Sequence, residues 1–209
     1  MGLLIINHSN KMKKAIITFS TFLLMLCASL NVQGQINRTL ETKVADILAQ
    51  LPTKELKHSD KLMEEIIGLG AEGILQFTNM LVPLGTGDDT KARYAIQSLA
   101  IYSGGKQGKI TGGVVEQALL KALKNTSNDE VKTFLIDRLI YCGSNASVVL
   151  VSSYLQDDVV YAPALSVLTT IGTLEAAKAI MDVTKSAGTT EQPAFVEALG
   201  RLQYAPSIA

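Results

Sequence analysis

The feature that most constrains this chain is a ten-residue apolar segment that recurs along it. Residues 95–104, 134–143 and 163–172 align with one another, and each copy ends in glycine. The offsets between them are 39 and 29 residues, and a weaker fourth copy ending at 199–202 follows after roughly 31. Self-similarity at a period of this size is the signature of a repeat architecture, in which each repeat is one supersecondary unit.

A polar, acidic turn precedes each copy, and another apolar segment precedes each turn. The turns lie at 87–90, 127–130, 157–158 and 189–191, and the preceding segments at 74–84, 114–123, 147–155 and 174–184. The spacing in these segments is helical, since Val115, Ala118, Leu119 and Ala122 fall on one face. Acidic residues suit helix N-termini, where a carboxylate accepts hydrogen bonds from unpaired amides. The predicted unit is therefore helix, acidic turn, helix, at about 30 residues.

Amphipathic helix pairs cannot bury their apolar faces alone, so units of this kind stack into a solenoid. The array over about 72–205 resembles HEAT and related armadillo-like helical repeats, which implies an all-α fold and a right-handed α-solenoid. The family's proline in the first helix and its Asp/Arg ladder are largely missing. Pro163 and Pro193 instead fall early in second helices, where proline is tolerated in the first turn. We expect the repeats to occupy 72–209.

The two ends of the repeat array carry separate predictions. Residues 35–71 are predicted to form an N-terminal helical cap, because 38–51 and 60–69 both show helical apolar spacing and are joined through Pro52. At the other end, 206–209 is typical of the start of another repeat. A solenoid normally ends in a capping repeat with a polar outer face. We therefore expect the chain to be a fragment or truncated at its C-terminus, or its end to dock on something.

The N-terminus predicts a secretory signal peptide over residues 1–34. Two lysines at 13–14 form a positive region, and a mostly apolar, uncharged run follows from 15 to 30. Small residues then form a cleavage site that gives a mature start at Gln35. The apolar run is about 16 residues, short of the ~20 that span a bilayer, which favours cleavage over a membrane anchor.

Two details of this signal leave alternatives open. Met12 is a better start than Met1 for a signal of this kind. The segment 24–27 resembles a lipoprotein signal box, although Leu26 is a poor fit beside Cys27 because that position normally holds a small residue. Lipidation at Cys27 is therefore an alternative to cleavage before Gln35. In either case we expect an exported protein of the periplasm or cell envelope.

The charge balance narrows the class of partner. Lys+Arg and Asp+Glu both number 19. Cleavage after residue 34 removes Lys11, Lys13 and Lys14 and no acid, which leaves 16 basic and 19 acidic residues. A net charge of −3 argues against nucleic acid and against a basic face for lipid. We expect an unidentified protein partner and no membrane span after signal cleavage.

We find no motif that predicts catalysis. The glycine-rich segment 104–113 resembles a phosphate loop, but the spacing fails the Walker A pattern and no strand precedes it. His58 lacks clustered partners for zinc and is predicted to lie in a solvated loop. Cys142 is predicted to be a small buried hydrophobe rather than a reactive thiol.

Paired carboxylates could serve acid–base catalysis or calcium binding, but their repeat positions favour helix capping; the pairs are 64–65, 88–89, 129–130 and 157–158. Taken with the absence of a catalytic motif, this leaves no catalytic, cofactor-binding or metal-binding residue to name. The sequence therefore predicts that the chain is not an enzyme.

A closer resemblance is carried by 41–52, 63–66, 70–73, 80–83 and 87–88. These runs are similar to the N-terminal region of large exported proteins from Bacteroides-type bacteria. In those proteins HEAT-like repeats precede β-sandwich domains of the DUF1080 type, associated with 3-keto-glycoside hydrolysis. The resemblance implies that this chain holds the repeats only, so that no catalytic residue can be carried over. Carbohydrate would then be bound only through a missing downstream domain.

Two functions therefore remain open from the sequence. The first is a non-catalytic, exported helical-repeat scaffold for protein–protein interaction. The alternative is the N-terminal accessory domain of a secreted carbohydrate-active hydrolase whose catalytic domain lies outside this chain.

Overall fold

The computed structural model describes residues 39–105, 112–185 and 192–204, and the regular structure within those ranges is entirely helical. The predicted signal peptide, the acidic turn at 189–191 and the segment 206–209 lie outside the described residues. The chain divides into two compact units, Met1–Lys43 and Val44–Ala209. All the packing reported below lies within the second unit. The prediction of an all-α fold is confirmed.

The helices are short and follow one another closely. We number them α1 (39–49), α2 (Leu56–Gly68), α3 (Gly70–Thr78), α4 (Thr90–Gly104), α5 (Gly112–Asn125), α6 (Asp129–Cys142), α7 (Val148–Ser152), α8 (Tyr161–Ile171), α9 (Leu174–Thr184) and α10 (Gln192–Arg201). A 3₁₀ turn, Asn145–Ser147, leads into α7.

Helices of the second unit pack in a regular order. Successive helices pair as α3 with α4, α5 with α6, α7 with α8, and α9 with α10. Each even-numbered helix from α2 to α8 also packs on the next even-numbered helix, while α3 packs on α5 and α7 on α9. We call the row formed by α2, α4, α6, α8 and α10 the even layer. The predicted second helices of the repeats all lie in this layer.

The predicted apolar faces form the core. Val115, Ala118 and Leu119 of α5 are fully buried, as are Ile136 and Leu139 of α6. Helices paired in this way are stabilised mainly by burial of the apolar face, because isolated helices of 9 to 15 residues are marginal in water.

The glycines that end the three aligned copies lie at the C-terminal ends of three even helices. Gly104 is the last residue of α4, and Gly143 and Gly172 follow the last residues of α6 and α8. Gly172 has φ of +67°, a left-handed conformation that L side chains rarely adopt. At Gly104 a Cβ atom would collide with the carbonyl oxygen of Tyr141, so the ends of α4 and α6 approach closely there.

Two predicted first helices end earlier than expected. The pattern predicts a helix over 74–84, whereas α3 begins at Gly70 and ends at Thr78. The pattern predicts a helix over 147–155, whereas α7 ends at Ser152 and the chain continues as turns. The Ser152 and Ser153 hydroxyls donate to the carbonyls of Val149 and Leu150. Serine side chains that bond to nearby backbone in this way compete with helix continuation.

The 3₁₀ turn that leads into α7 and the first helix α9 have hydroxyl caps that the sequence interpretation missed. Ser144 Oγ accepts a hydrogen bond from the Ala146 amide, and Thr173 Oγ1 accepts one from the Ala176 amide. Ser144 and Thr173 are 29 residues apart, which equals the offset between the corresponding repeat copies. The equal spacing of these two hydroxyl residues is the sequence signal from which both caps could have been predicted.

A buried carboxylate fixes the start of α7. Glu116 of α5 is 4% exposed and accepts hydrogen bonds from the Ser144 amide at 2.7 Å and from the Ser147 hydroxyl at 2.6 Å. Ser144 Oγ donates to the same carboxylate. A buried carboxylate is tolerated only when its oxygens are paired. Glu116 therefore links α5 to the chain that follows α6.

Candidate interaction surface

In the acidic turns, some carboxylates accept hydrogen bonds from backbone amides and others accept them from side chains. Asp88 accepts from the amide of Thr90, the first residue of α4, whereas Asp157 accepts from the Val159 and Val160 amides, which precede α8. Asp89, by contrast, accepts from the side chain of Arg93, and Asp129 accepts from Lys132. The capping prediction therefore holds for Asp88 and is wrong for the pair 129–130, because the side chain of Asn128 caps α6 by accepting from the Val131 amide while both acids bind side chains.

Arg93, in the first turn of α4, links two helices of the even layer. Its Nε lies 2.9 Å from both carboxylate oxygens of Asp89. Its Nη1 and Nη2 donate to the two carboxylate oxygens of Glu130 on α6, at 2.8 and 2.9 Å, and Nη2 also donates to the Val82 carbonyl. Bidentate pairing matches the planar fork of arginine to the carboxylate. The hydrogen-bonding capacity of Arg93 is thus largely used within the protein.

The ionisation of this cluster follows from its geometry. Burial alone would raise the pKa of Asp89, but hydrogen bonds from Arg93 and from the Val82 amide, with the Arg93 charge, hold that pKa below its ordinary value. Burial opposes the charged form of Arg93 as well, yet its bonds to Glu130 and Asp89 raise its pKa. The cluster therefore stays ionised, and it supplies one acid–arginine link between neighbouring second helices.

Phe134 lies between two guanidinium groups. The Arg93 Cζ is 4.8 Å from the ring centroid, and the Arg138 Cζ is 4.6 Å from it. Both distances lie within the range of a cation–π interaction. Because Phe134 and Arg138 are four residues apart on α6, the ring and the guanidinium occupy the same helix face.

Arg138 differs from Arg93 in its hydrogen bonding. Its Nε is buried and has no hydrogen-bond partner among the described residues. Burial lowers the pKa of Arg138, and the charge of Asp137 opposes that effect only in part. Burial likewise raises the pKa of Asp137, against the charge of Arg138. Arg138 is thus a half-buried cation whose charge is poorly compensated by the protein.

The register between α4 and α6 shows what surrounds Arg138. Arg93 pairs with Glu130, 37 residues later, and the close approach of Gly104 to Tyr141 has the same separation. The two helices therefore run parallel with a constant offset, which places Ile101 level with Arg138. Ile101 is 48% exposed and Tyr141 is 45% exposed. We call Ile101, Phe134, Arg138 and Tyr141 the α4–α6 patch.

The even layer also carries a groove between α8 and α10. Its volume is about 320 Å³, and small polar side chains such as Ser166, Thr169 and Thr170 line it. Glu197 and Arg201 at its edge form an exposed ion pair at 2.7 Å. The charged residues of this groove thus neutralise each other, in contrast to Arg138.

The remaining sequence candidates lie apart from this patch or are chemically inert. His58 is exposed on α2, so its predicted loop position is wrong because helix α2 begins earlier than the pattern indicated. Cys142 is the last residue of α6 and is partly buried against the core, and this burial raises the pKa of its thiol to about 12. Within the described ranges, no group of three or more potential ligands could hold a metal ion. Most of segment 104–113 lies outside those ranges.

Sequence comparison with known proteins gives no information on the function of this protein. No family model matches this sequence, and a search of the curated proteins finds no relative. Among the helices the structure describes, none has the length and apolar character needed to cross a membrane. The even layer and its α4–α6 patch are therefore the basis for a functional proposal.

Proposed function

We propose that the protein is a non-catalytic, exported scaffold of HEAT-like helical hairpins that binds another protein through its even layer. The observation that supports this proposal is the α4–α6 patch, in which an incompletely paired arginine lies beside two aromatic residues and an exposed isoleucine. Buried interface centres are enriched in aromatic residues and arginine. The balanced sequence charge favours a protein partner over nucleic acid.

The proposed right-handed solenoid is supported by two independent regularities. The sequence repeats at offsets of 39 and 29 residues. The helices corresponding to these copies pack on one another in order, α4 on α6 and α6 on α8. Stacking of equivalent helices on their nearest neighbours is what a solenoid requires, and the exposed stripes of its second helices provide an extended binding surface.

Site-specific photo-crosslinking tests the binding role in native cells. A photoreactive phenylalanine at Tyr141 is expected to give a discrete higher-mass adduct. The matched control is the same residue at Val149, which is 83% exposed on α7 and outside the even layer. Equal adducts at both positions, or none from any even-layer position, would refute binding through this surface. Fractionation of the same cells tests export, with the mature form expected in the periplasm or envelope.

The alternative is that this chain is the accessory domain of a secreted carbohydrate-active hydrolase. It is supported by the resemblance of 41–52, 63–73 and 80–88 to exported DUF1080-type proteins. An immunoblot of the native cells separates the two proposals. A band of about 19 kDa, for mature residues at ~110 Da each, supports the short scaffold. A much larger band supports the multidomain enzyme.

A further inference from the structure

The two arginines that flank Phe134 are in opposite states of pairing. Arg93 donates to two carboxylates and one carbonyl. Arg138 donates no side-chain hydrogen bond to any described residue, and its buried Nε is unpaired. The buried Nε is closed to solvent, whereas the two Nη groups are not buried and also lack a partner among the described residues, so an external ligand can accept hydrogen bonds from them. Arg138 is therefore the group on this surface with capacity for an external anion.

Arg138 is also held in place before any ligand arrives. Its Cζ lies 4.6 Å from the centroid of the Phe134 ring, so the side chain is packed against an aromatic face rather than free in solvent. A long side chain that is already immobilised loses less conformational entropy on binding. The planar fork of a fixed guanidinium matches a carboxylate in a bidentate arrangement.

The neighbouring groups limit the kind of anion that fits. Asp137 lies beside Arg138 in the sequence, and Glu130 is one turn below Phe134 on the same helix. Arg93 is already paired with two acids, so it adds little positive field. A polyanion or phosphate would be repelled by these carboxylates, whereas a single carboxylate would not be strongly opposed. Exposed Ile101 lies level with Arg138, and exposed Tyr141 lies about one helical turn further along α6.

We propose that the α4–α6 patch binds a protein segment that places one aspartate or glutamate carboxylate on the Arg138 fork and an apolar side chain against Ile101 and Tyr141. This inference rests on the proposed scaffold function and adds the chemistry of the contact. The occupant is a segment with an isolated acid flanked by apolar residues.

Side-chain NMR of the purified ¹⁵N-labelled protein tests this contact directly. The sequence contains four arginines, Arg38, Arg93, Arg138 and Arg201, so the Nε–Hε region is sparse. The probe is the blocked pentapeptide Gly-Leu-Glu-Leu-Gly, and its control has Gln in place of Glu. We expect the Glu peptide to shift the Arg138 Nε–Hε signal and the Tyr141 amide with a Kd on the order of 1 mM. The Gln peptide should bind roughly tenfold more weakly.

Two variants and two small anions complete the test. Arg138→Lys keeps the charge but not the fork, and should weaken the Tyr141 amide response several-fold. Arg201→Lys, at an exposed ion pair, should leave the response unchanged. Acetate and phosphate should shift Arg138 less than the Glu peptide does at equal concentration.

Several outcomes would overturn the inference. An unmoved Arg138 signal, an equal response to the Gln peptide, or an equal response to acetate or phosphate would each do so. Crosslinking through Tyr141 in cells tests the scaffold function without reference to a carboxylate. Adducts there combined with a negative titration would therefore refute this contact alone.

Discussion

Arg93 is predicted to contribute more to stability than the other basic residues that form ion pairs in the described part of the chain. Replacing it by alanine removes bidentate bonds to Asp89 and Glu130, the bond to the Val82 carbonyl, and the contact with Phe134. The cost has two sources: the lost bonds, and the two carboxylates left without their cation.

The magnitude depends on burial. The Arg93 side chain is 17% exposed, Asp89 9% and Glu130 32%, so water compensates only partly. A hydrogen bond to a charged group contributes about 1.5–3 kcal/mol, and removing one partner of a buried ion pair costs about 3–5 kcal/mol. For a partly exposed cluster we expect Arg93→Ala to lower the free energy of unfolding by about 3 kcal/mol. In a chain of this size that loss lowers Tm by roughly 6–12 °C.

Thermal and urea unfolding, followed by circular dichroism, measure this loss. The matched control is Lys121, which pairs with Glu72 across α5 and α3 but is 51% exposed with a partner that is 73% exposed. Lys121→Ala should cost less than about 0.5 kcal/mol, because exposed pairs contribute little. Arg93→Lys should fall between the two, since lysine retains charge without the fork. A loss for Arg93→Ala no larger than for Lys121→Ala would refute the reasoning.

Three further predictions concern ionisation and packing. The folded pKa of Asp89 lies below its ordinary value of 3.8, so its stabilising contribution is present above that value and is lost as pH falls through the folded pKa; the stability difference between the protein and Asp89→Asn should therefore shrink below about pH 4 in urea titrations. Burial raises the pKa of the Cys142 thiol from 9.0 to about 12. The thiol should therefore react with iodoacetamide at pH 8 on the order of a thousandfold more slowly in the folded protein than after denaturation. Mass spectrometry of the Cys142 peptide measures both rates, and equal rates would contradict the burial of this thiol. Gly104→Ala should destabilise the protein by about 1–3 kcal/mol because the new Cβ meets the backbone of Tyr141. Gly200→Ala has open space around the new Cβ, so it should be neutral or stabilise the protein by up to about 1 kcal/mol. Similar unfolding midpoints for the two variants would count against the close approach of α4 and α6.

Local features of the fold could be predicted from the sequence. Helical apolar spacing located α5 and α6, and the aligned glycines marked the ends of three even helices. These features depend on residues within one or two turns of each other, which is the range over which sequence pattern is informative. The shortening of α7 at Ser152 was missed because serine bonding to nearby carbonyls is a weak competitor that apolar periodicity does not show.

The α4–α6 patch could not be predicted in the same way. Arg93 and Glu130 are 37 residues apart, and the choice between Asp88 and Asp89 as the partner of Arg93 depends on how α4 lies against α6. Neighbouring acids in a sequence look equivalent until the register of two helices separates them. The unpaired state of Arg138 is likewise a property of its surroundings, since nothing in its local sequence distinguishes it from Arg93.

Two kinds of contact link neighbouring hairpins, one through Glu116 on α5 and one between Arg93 on α4 and Glu130 on α6, and they differ in exposure to solvent. Glu116 fixes the start of α7 with bonds that are buried and fully used, so it contributes to the rigidity of the scaffold. The α4–α6 contact is instead partly exposed, and Phe134 connects a fully paired arginine to an incompletely paired one. A rigid frame that holds a charged side chain in a fixed place is what precise recognition requires. Pairing at Arg93 therefore stabilises the surface that carries the incompletely paired Arg138.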